Sequence, residues 1–159
     1  MSPDERIDRL VTEVVAELDR IDRAAADLRA AASGLTSVSD SAHRMAVAGC
    51  LHGFYTGCEA VLARIARLVG DMPAGHAWHH ALLFGATAPV PGVRPPVIPP
   101  ATATLLEELL RFRHFFRSSY GVELDVSKLT PLAATALEAR RIFRNDIEVF
   151  LQALRASGK

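Results

Sequence analysis

The segment Arg113-His114-Phe115-Phe116-Arg117-Ser118-Ser119-Tyr120 gathers two guanidinium groups, an imidazole and three hydroxyls into one short stretch. An arginine fork matches the oxygens of a phosphate, and an imidazole exchanges a proton near neutral pH. Read alone, Arg113 and Arg117 fit better as solvated cations near a helix C-terminus, where positive charge is favoured, and Tyr120 better as a packing aromatic before Gly121. A second group, His52, Tyr55 and Glu59, recurs at steps of three and four and so forms one polar stripe along an otherwise apolar stretch. That stripe reads either as the wall of a cleft or as an internally satisfied hydrogen-bond network. His76 and His80 stand one helical turn apart beside His79, but no third ligand follows at a suitable spacing, so no metal is expected. No phosphate-binding loop, dinucleotide fingerprint or serine-hydrolase elbow occurs, and no cofactor is expected.

Helices must position these groups. Ser2-Pro3-Asp4-Glu5 has the pattern of a capping box with proline at the first helical position. Apolar residues from Ile7 to Ala32 then recur at helical spacing until Ser33-Gly34. Ser39 or Asp40 caps a second helix that runs to about Gly70, and its apolar residues point in nearly every direction. Such a helix is contacted on several sides, which makes its few polar residues informative. A short helix is expected over His76–Phe84, followed by a strap from Ala86 to Pro100 that is too rich in proline to continue it. Thr102 or Thr104 is expected to cap a fourth helix striped by Leu105, Leu109, Phe112 and Phe116, ending near Ser118 to Gly121. Thr130-Pro131 is expected to open the last helix, with Leu132, Leu137, Ile142, Phe143, Ile147, Phe150, Leu151 and Leu154 facing inward. The expected fold is all-α, an up-and-down bundle of four long helices plus one short helix, forming a single domain over residues 1–159.

Charge narrows the partners. Eighteen basic residues balance eighteen acidic ones, so no global field steers the chain to nucleic acid or an anionic membrane, and any RNA contact must be local. All the basic residues except Lys128 and Lys159 are arginine. No basic-then-apolar leader and no run of about 18 uncharged apolar residues is seen, so a cytoplasmic protein without membrane contact is expected. Cys50 and Cys58 lie roughly 12 Å apart along one helix, too far for a bridge, and read as reduced thiols.

The segment Leu109 to Asp125 resembles the HEPN superfamily, specifically its HepT-like ribonuclease toxin branch. The branch's motif is an arginine, four to six residues and a histidine, often followed after one more residue by tyrosine. Arg113 and Tyr120 stand at the matching places, and the position of the histidine is taken by Ser118. His52-Gly-Phe-Tyr-Thr-Gly-Cys-Glu59, the helix with Trp78 and the strap Pro91 to Pro96 are also similar, so the resemblance spans roughly residues 40–155. It implies a homodimeric, metal-independent endoribonuclease toxin in which Arg113 holds the scissile phosphate, assisted by Arg117 and Tyr120. It further implies a nucleotidyltransferase antitoxin that adenylylates Tyr120. A serine hydroxyl does not titrate near neutrality, so Ser118 cannot shuttle the proton, a role typically worth about 10²–10⁴-fold in rate. His114, four residues earlier on the same face, is the nearest stand-in, although its side chain leans a turn towards the helix N-terminus. His52 and a histidine from a partner chain are further candidates. The alternative is a catalytically silent HEPN module that binds nucleotide, RNA or the nucleotidyltransferase. A third reading, in which the motif serves packing alone, requires Arg113 to be buried in an internal ion pair.

Overall fold

A computed structural model of the chain describes residues 1–119, 121 and 123–157. They form an all-α bundle of five helices: α1 (Pro3–Ser33), α2 (Ser41–Val69), α3 (Trp78–Gly85), α4 (Pro100–Ser118) and α5 (Val126–Ser157). α1 begins at the capping box, with Glu5 N–H donating to Ser2 Oγ and Ser2 N–H donating to Glu5 Oε2. α2 begins at Asp40, whose carboxylate accepts from His43 N–H, and stops at Gly70, which takes the left-handed conformation at φ 77°. A β-carbon there would be strained, which is why glycine ends the helix.

Side-chain pairs set the helix directions. Arg6 of α1 reaches the Leu68 carbonyl of α2, and His43 Nε2–H donates to the Ala31 carbonyl at 2.7 Å, so α1 and α2 run antiparallel. Arg140 and Arg144 of α5 bind Asp22 of α1, while Arg155 reaches Asp8, which makes α5 antiparallel to α1. Thr102 of α4 donates to Asp146 of α5 at 2.6 Å, and Thr135 lies against Glu108, so α4 opposes α5. The order is up, down, up, down, with α3 against α2 and α4.

α2 touches α1, α3, α4 and α5, as an apolar surface around its whole circumference demands. Leu51, Phe54, Tyr55 and Ile65 are fully buried in one continuous core with Leu18 and Leu28 of α1, Leu106 and Leu109 of α4, and Phe143 of α5. Burying one large apolar side chain of this kind contributes about 1.5–3 kcal/mol. At Gly57 a β-carbon would lie 2.7 Å from Ile21 Cγ1, so any larger residue would force the Ile21 side chain to shift where α1 and α2 meet.

Three expected boundaries shift. α3 starts at Trp78 rather than His76, because Gly75 at φ 92° turns the chain just before it, and His76 and His80 are therefore not paired on one helix. α4 starts at Pro100, with Pro99 at the cap position and no side-chain cap; Thr102 lies in its first turn and faces Asp146, and Thr104, one turn in, donates to the Pro100 carbonyl. Proline suits a first turn because its missing N–H has no helical partner to lose there. α5 starts at Val126, where Asp125 accepts from Ser127 N–H, and Pro131 falls inside the helix. Burial of Leu129 draws this earlier turn into the core. Leu132, Leu137 and Ile142 are half-buried flanks of the stripe, and Ala133, Ala136 and Ala139 fill its centre.

The strap between α3 and α4 is held by Arg94, which is buried. Its guanidinium pairs with Asp71 Oδ2 at 2.6 Å and donates to the carbonyls of Gly85, Ala88 and Pro95. One side chain thus satisfies carbonyls that the prolines leave without helical donors. No helix of the described residues is long and apolar enough to cross a membrane.

Because Arg94 joins the end of α2 to the strap, Arg94→Leu should lower the unfolding free energy by about 3 kcal/mol in a denaturant titration. Amide hydrogen exchange should quicken first over residues 78–98 and not in α1 or α5.

Candidate functional site

Arg113 lies on the face of α4 that turns towards α2 and is only 6 % exposed. Its Nη2 stands 3.9 Å from Glu59 Oε1, a long ion pair, and its Nε and Nη1 are buried without a hydrogen-bond partner among the described residues. A buried guanidinium normally spends its five donors on acceptors, and leaving them unbonded costs about 1–3 kcal/mol per group.

Glu59 is likewise 6 % exposed, and its second oxygen accepts from His79 Nδ1–H at 2.7 Å. The carboxylate therefore joins α3 to α4 through α2. His79 stacks on Trp78, ring centres 3.7 Å apart, and meets the edge of His114 at 5.4 Å. His52 tilts against Phe116, with ring centres 5.7 Å apart. Burial, with Arg113 and Arg117 adding positive charge, holds the His52 imidazole below its ordinary range. Desolvation also lowers His114, reinforced by His79 and Arg113, although part of its ring reaches the surface.

The stripe of His52, Tyr55 and Glu59 divides between the two readings open to it. Tyr55 is 1 % exposed and Glu59 is buried, so neither forms the wall of an open cleft; they sit beneath the surface because α2 is enclosed on several sides. Burial, then the nearby Glu59 charge, pushes the Tyr55 hydroxyl far above its usual range, so it stays protonated. Only His52 borders a surface groove, shared with Glu17, Arg20, Gly53 and Thr56.

At the end of α4, His114, Arg117 and Ser118 are exposed. The Ser118 hydroxyl donates back to the His114 carbonyl at 2.7 Å, the common way for a serine near a helix end to satisfy itself. Tyr120 lies outside the described residues. Arg44 of α2 anchors the chain beyond it, donating to the Leu124 carbonyl at 3.0 Å and to Glu123 at 3.1 Å. The structure thus gathers Arg113, His114 and Glu59, leaves Ser118 turned to its own backbone, and adds His79, which spacing alone does not single out. The signal for His79 is indirect: a carboxylate on an apolar, enclosed helix requires a partner, and α3 supplies one.

The depressed imidazoles give a stability signature. The unfolded chain takes up these protons near the ordinary value of 6.5 and the folded chain only at lower pH, so folding stability falls as pH drops below about 6.5 and gains nothing above it. His114→Gln should therefore make the decline in melting temperature between about pH 7 and 5 shallower. An unaltered slope would show that His114 is not depressed.

The sequence family described as HepT-like protein matches residues 46–154, a span that runs from α2 to α5 and includes Glu59, His79, Arg113, His114 and Ser118. No curated protein and no solved structure matches the chain. A match over most of the chain, on an all-α bundle of the expected order, establishes that this protein belongs to the HepT-like family of HEPN-type proteins.

Proposed function

We propose that the protein is a metal-independent endoribonuclease toxin subunit that cuts RNA at a site centred on Arg113. The observation that carries this reading is the buried guanidinium of Arg113, paired only at long range with Glu59 and with no acceptor for Nε and Nη1 among the described residues, on the same helix end as the exposed His114 and Arg117. A phosphodiester offers a planar fork the paired oxygens it lacks, and a site withdrawn from water strengthens that attraction. Arg113 holds the phosphate, and Arg117 draws the RNA backbone to the surface above it.

Burial beside Glu59 also gives Arg113 a structural part, as the packing reading requires. The long 3.9 Å pair leaves most of the guanidinium's donors uncommitted to Glu59, which is what a role in holding phosphate as well requires. The active form is a homodimer, in which two copies of the motif line one RNA path and raise the local positive charge of an otherwise neutral chain. A nucleotidyltransferase antitoxin silences it by adenylylating Tyr120, since the added phosphate charge competes with RNA phosphate for the arginines of the motif.

One observation favours the alternative of a silent binding module. The Ser118 hydroxyl is spent on the His114 carbonyl and supplies no titrating group where the HepT-like motif has histidine.

Cleavage of a labelled RNA by the purified protein, with chelator present, tests the assignment. Arg113→Lys keeps the charge and loses the fork, so cleavage should fall by about 10²-fold with the melting temperature nearly unchanged. Full activity in Arg113→Lys would remove Arg113 from the site. If cutting appears only in Ser118→His, the natural chain is the silent module.

A further inference from the structure

Four side chains from three helices form one polar line through the α2–α3–α4 junction. Arg113 Nη2 faces one oxygen of Glu59 at 3.9 Å, the other oxygen accepts from His79 Nδ1–H at 2.7 Å, and His79 meets the edge of His114. A carboxylate accepts and does not donate, so Nδ1 of His79 carries a hydrogen, and in the neutral ring the lone pair is therefore on Nε2. Glu59 cannot turn away, because it is buried and held from both sides. Trp78, stacked at 3.7 Å, limits rotation of the ring plane. The result is an imidazole of fixed orientation, joined through Glu59 to the Arg113 guanidinium.

We infer that His79, oriented by Glu59, is the proton shuttle of this protein and takes the role that Ser118 cannot fill. This rests on the ribonuclease reading above. Nε2 of His79 takes the proton of the RNA 2′-hydroxyl as the 2′-oxygen bonds to phosphorus and the bond from phosphorus to the 5′-oxygen breaks. The imidazolium returns that proton to the departing 5′-oxygen, leaving a 2′,3′-cyclic phosphate and a 5′-hydroxyl. Atoms and charge balance with no water, metal or co-reactant. Glu59 is a positioning residue: it fixes the tautomer and stabilises the imidazolium while the proton is in transit. His114, lowered by burial and by its cationic neighbours, stays neutral at neutral pH and does not repel that imidazolium.

The functional division explains the local sequence. His80, the next residue, turns to Glu107 at 3.6 Å and is exposed, so the two adjacent histidines of α3 have separate surroundings. His80→Gln is the matched control for His79→Gln.

The test measures kcat, KM and product ends on a short RNA for the full chain and its variants. His79→Gln should lower kcat by about 10²–10⁴-fold, His80→Gln should cut normally, and added imidazole should restore part of the activity of His79→Ala. Glu59→Gln, which can still accept from Nδ1–H, should lower kcat by at least about tenfold while KM holds. If the unaltered protein cuts and His79→Gln cuts equally well, the role of His79 is overturned and the ribonuclease reading stands. If loss in His79→Ala comes with a lowered melting temperature and no imidazole rescue, His79 is structural and the inference fails. Cutting by Ser118→His but not by the unaltered chain overturns the shuttle while keeping Arg113 as the phosphate site, and cutting by neither overturns both readings.

Discussion

A carboxylate in a dry interior has to be answered by donors, and Glu59 sets that requirement at the centre of this bundle. It stands on the one helix that four others surround, so its partners can come only from across a helix interface. α3 answers with His79 and α4 with Arg113. Removing Arg113 leaves the Glu59 charge uncompensated in the interior, a change far costlier than losing an exposed ion pair, whereas His79 serves it as a hydrogen-bond donor. The spacing of α2, α3 and α4 is therefore tied to electrostatics as well as to apolar packing.

The periphery works differently. The pairs of Arg144 and Arg140 with Asp22 join α1 to α5 at the surface; although partial burial opposes it, hydrogen bonds and charge from the two arginines hold the Asp22 carboxyl below its usual range. Pairs of this exposure contribute little each, typically up to about 1 kcal/mol. Arg94 and Arg44 matter more, because each converts loose backbone into a defined connection. Arg94 closes the proline strap behind α3, and Arg44 ties the start of α2 to the segment before α5. Between them they fix both approaches to the Glu59 junction.

Membership of the HepT-like family places Ser118 in a telling light. In a helix end with free carbonyls, a serine hydroxyl is drawn to its own backbone, and that is where it points. The chain nevertheless brings a buried arginine and an oriented imidazole to opposite oxygens of one carboxylate, Glu59.

Local pattern was enough to reveal the helices and their order. Capping at Ser2 and Asp40, the glycine stop at Gly70 and the apolar stripes of α1 and α5 are short-range physics, and so is the enclosure of α2, announced by its lack of a polar face. The starts of α4 and α5 were less legible, since Thr102 and Pro131 have favourable roles at a helix start that contacts elsewhere in the bundle override. Arg113 was visible from its place in the motif, and Glu59 from being acidic on an apolar rod. That the two face each other, that His79 rather than His76 or His80 completes the set, and that Tyr55 lies below the surface were decided by the tertiary fold. The reason is physical: helical spacing tells which residues share a face, while the partner of a buried charge is chosen by the packing of helices separated by tens of residues in the chain.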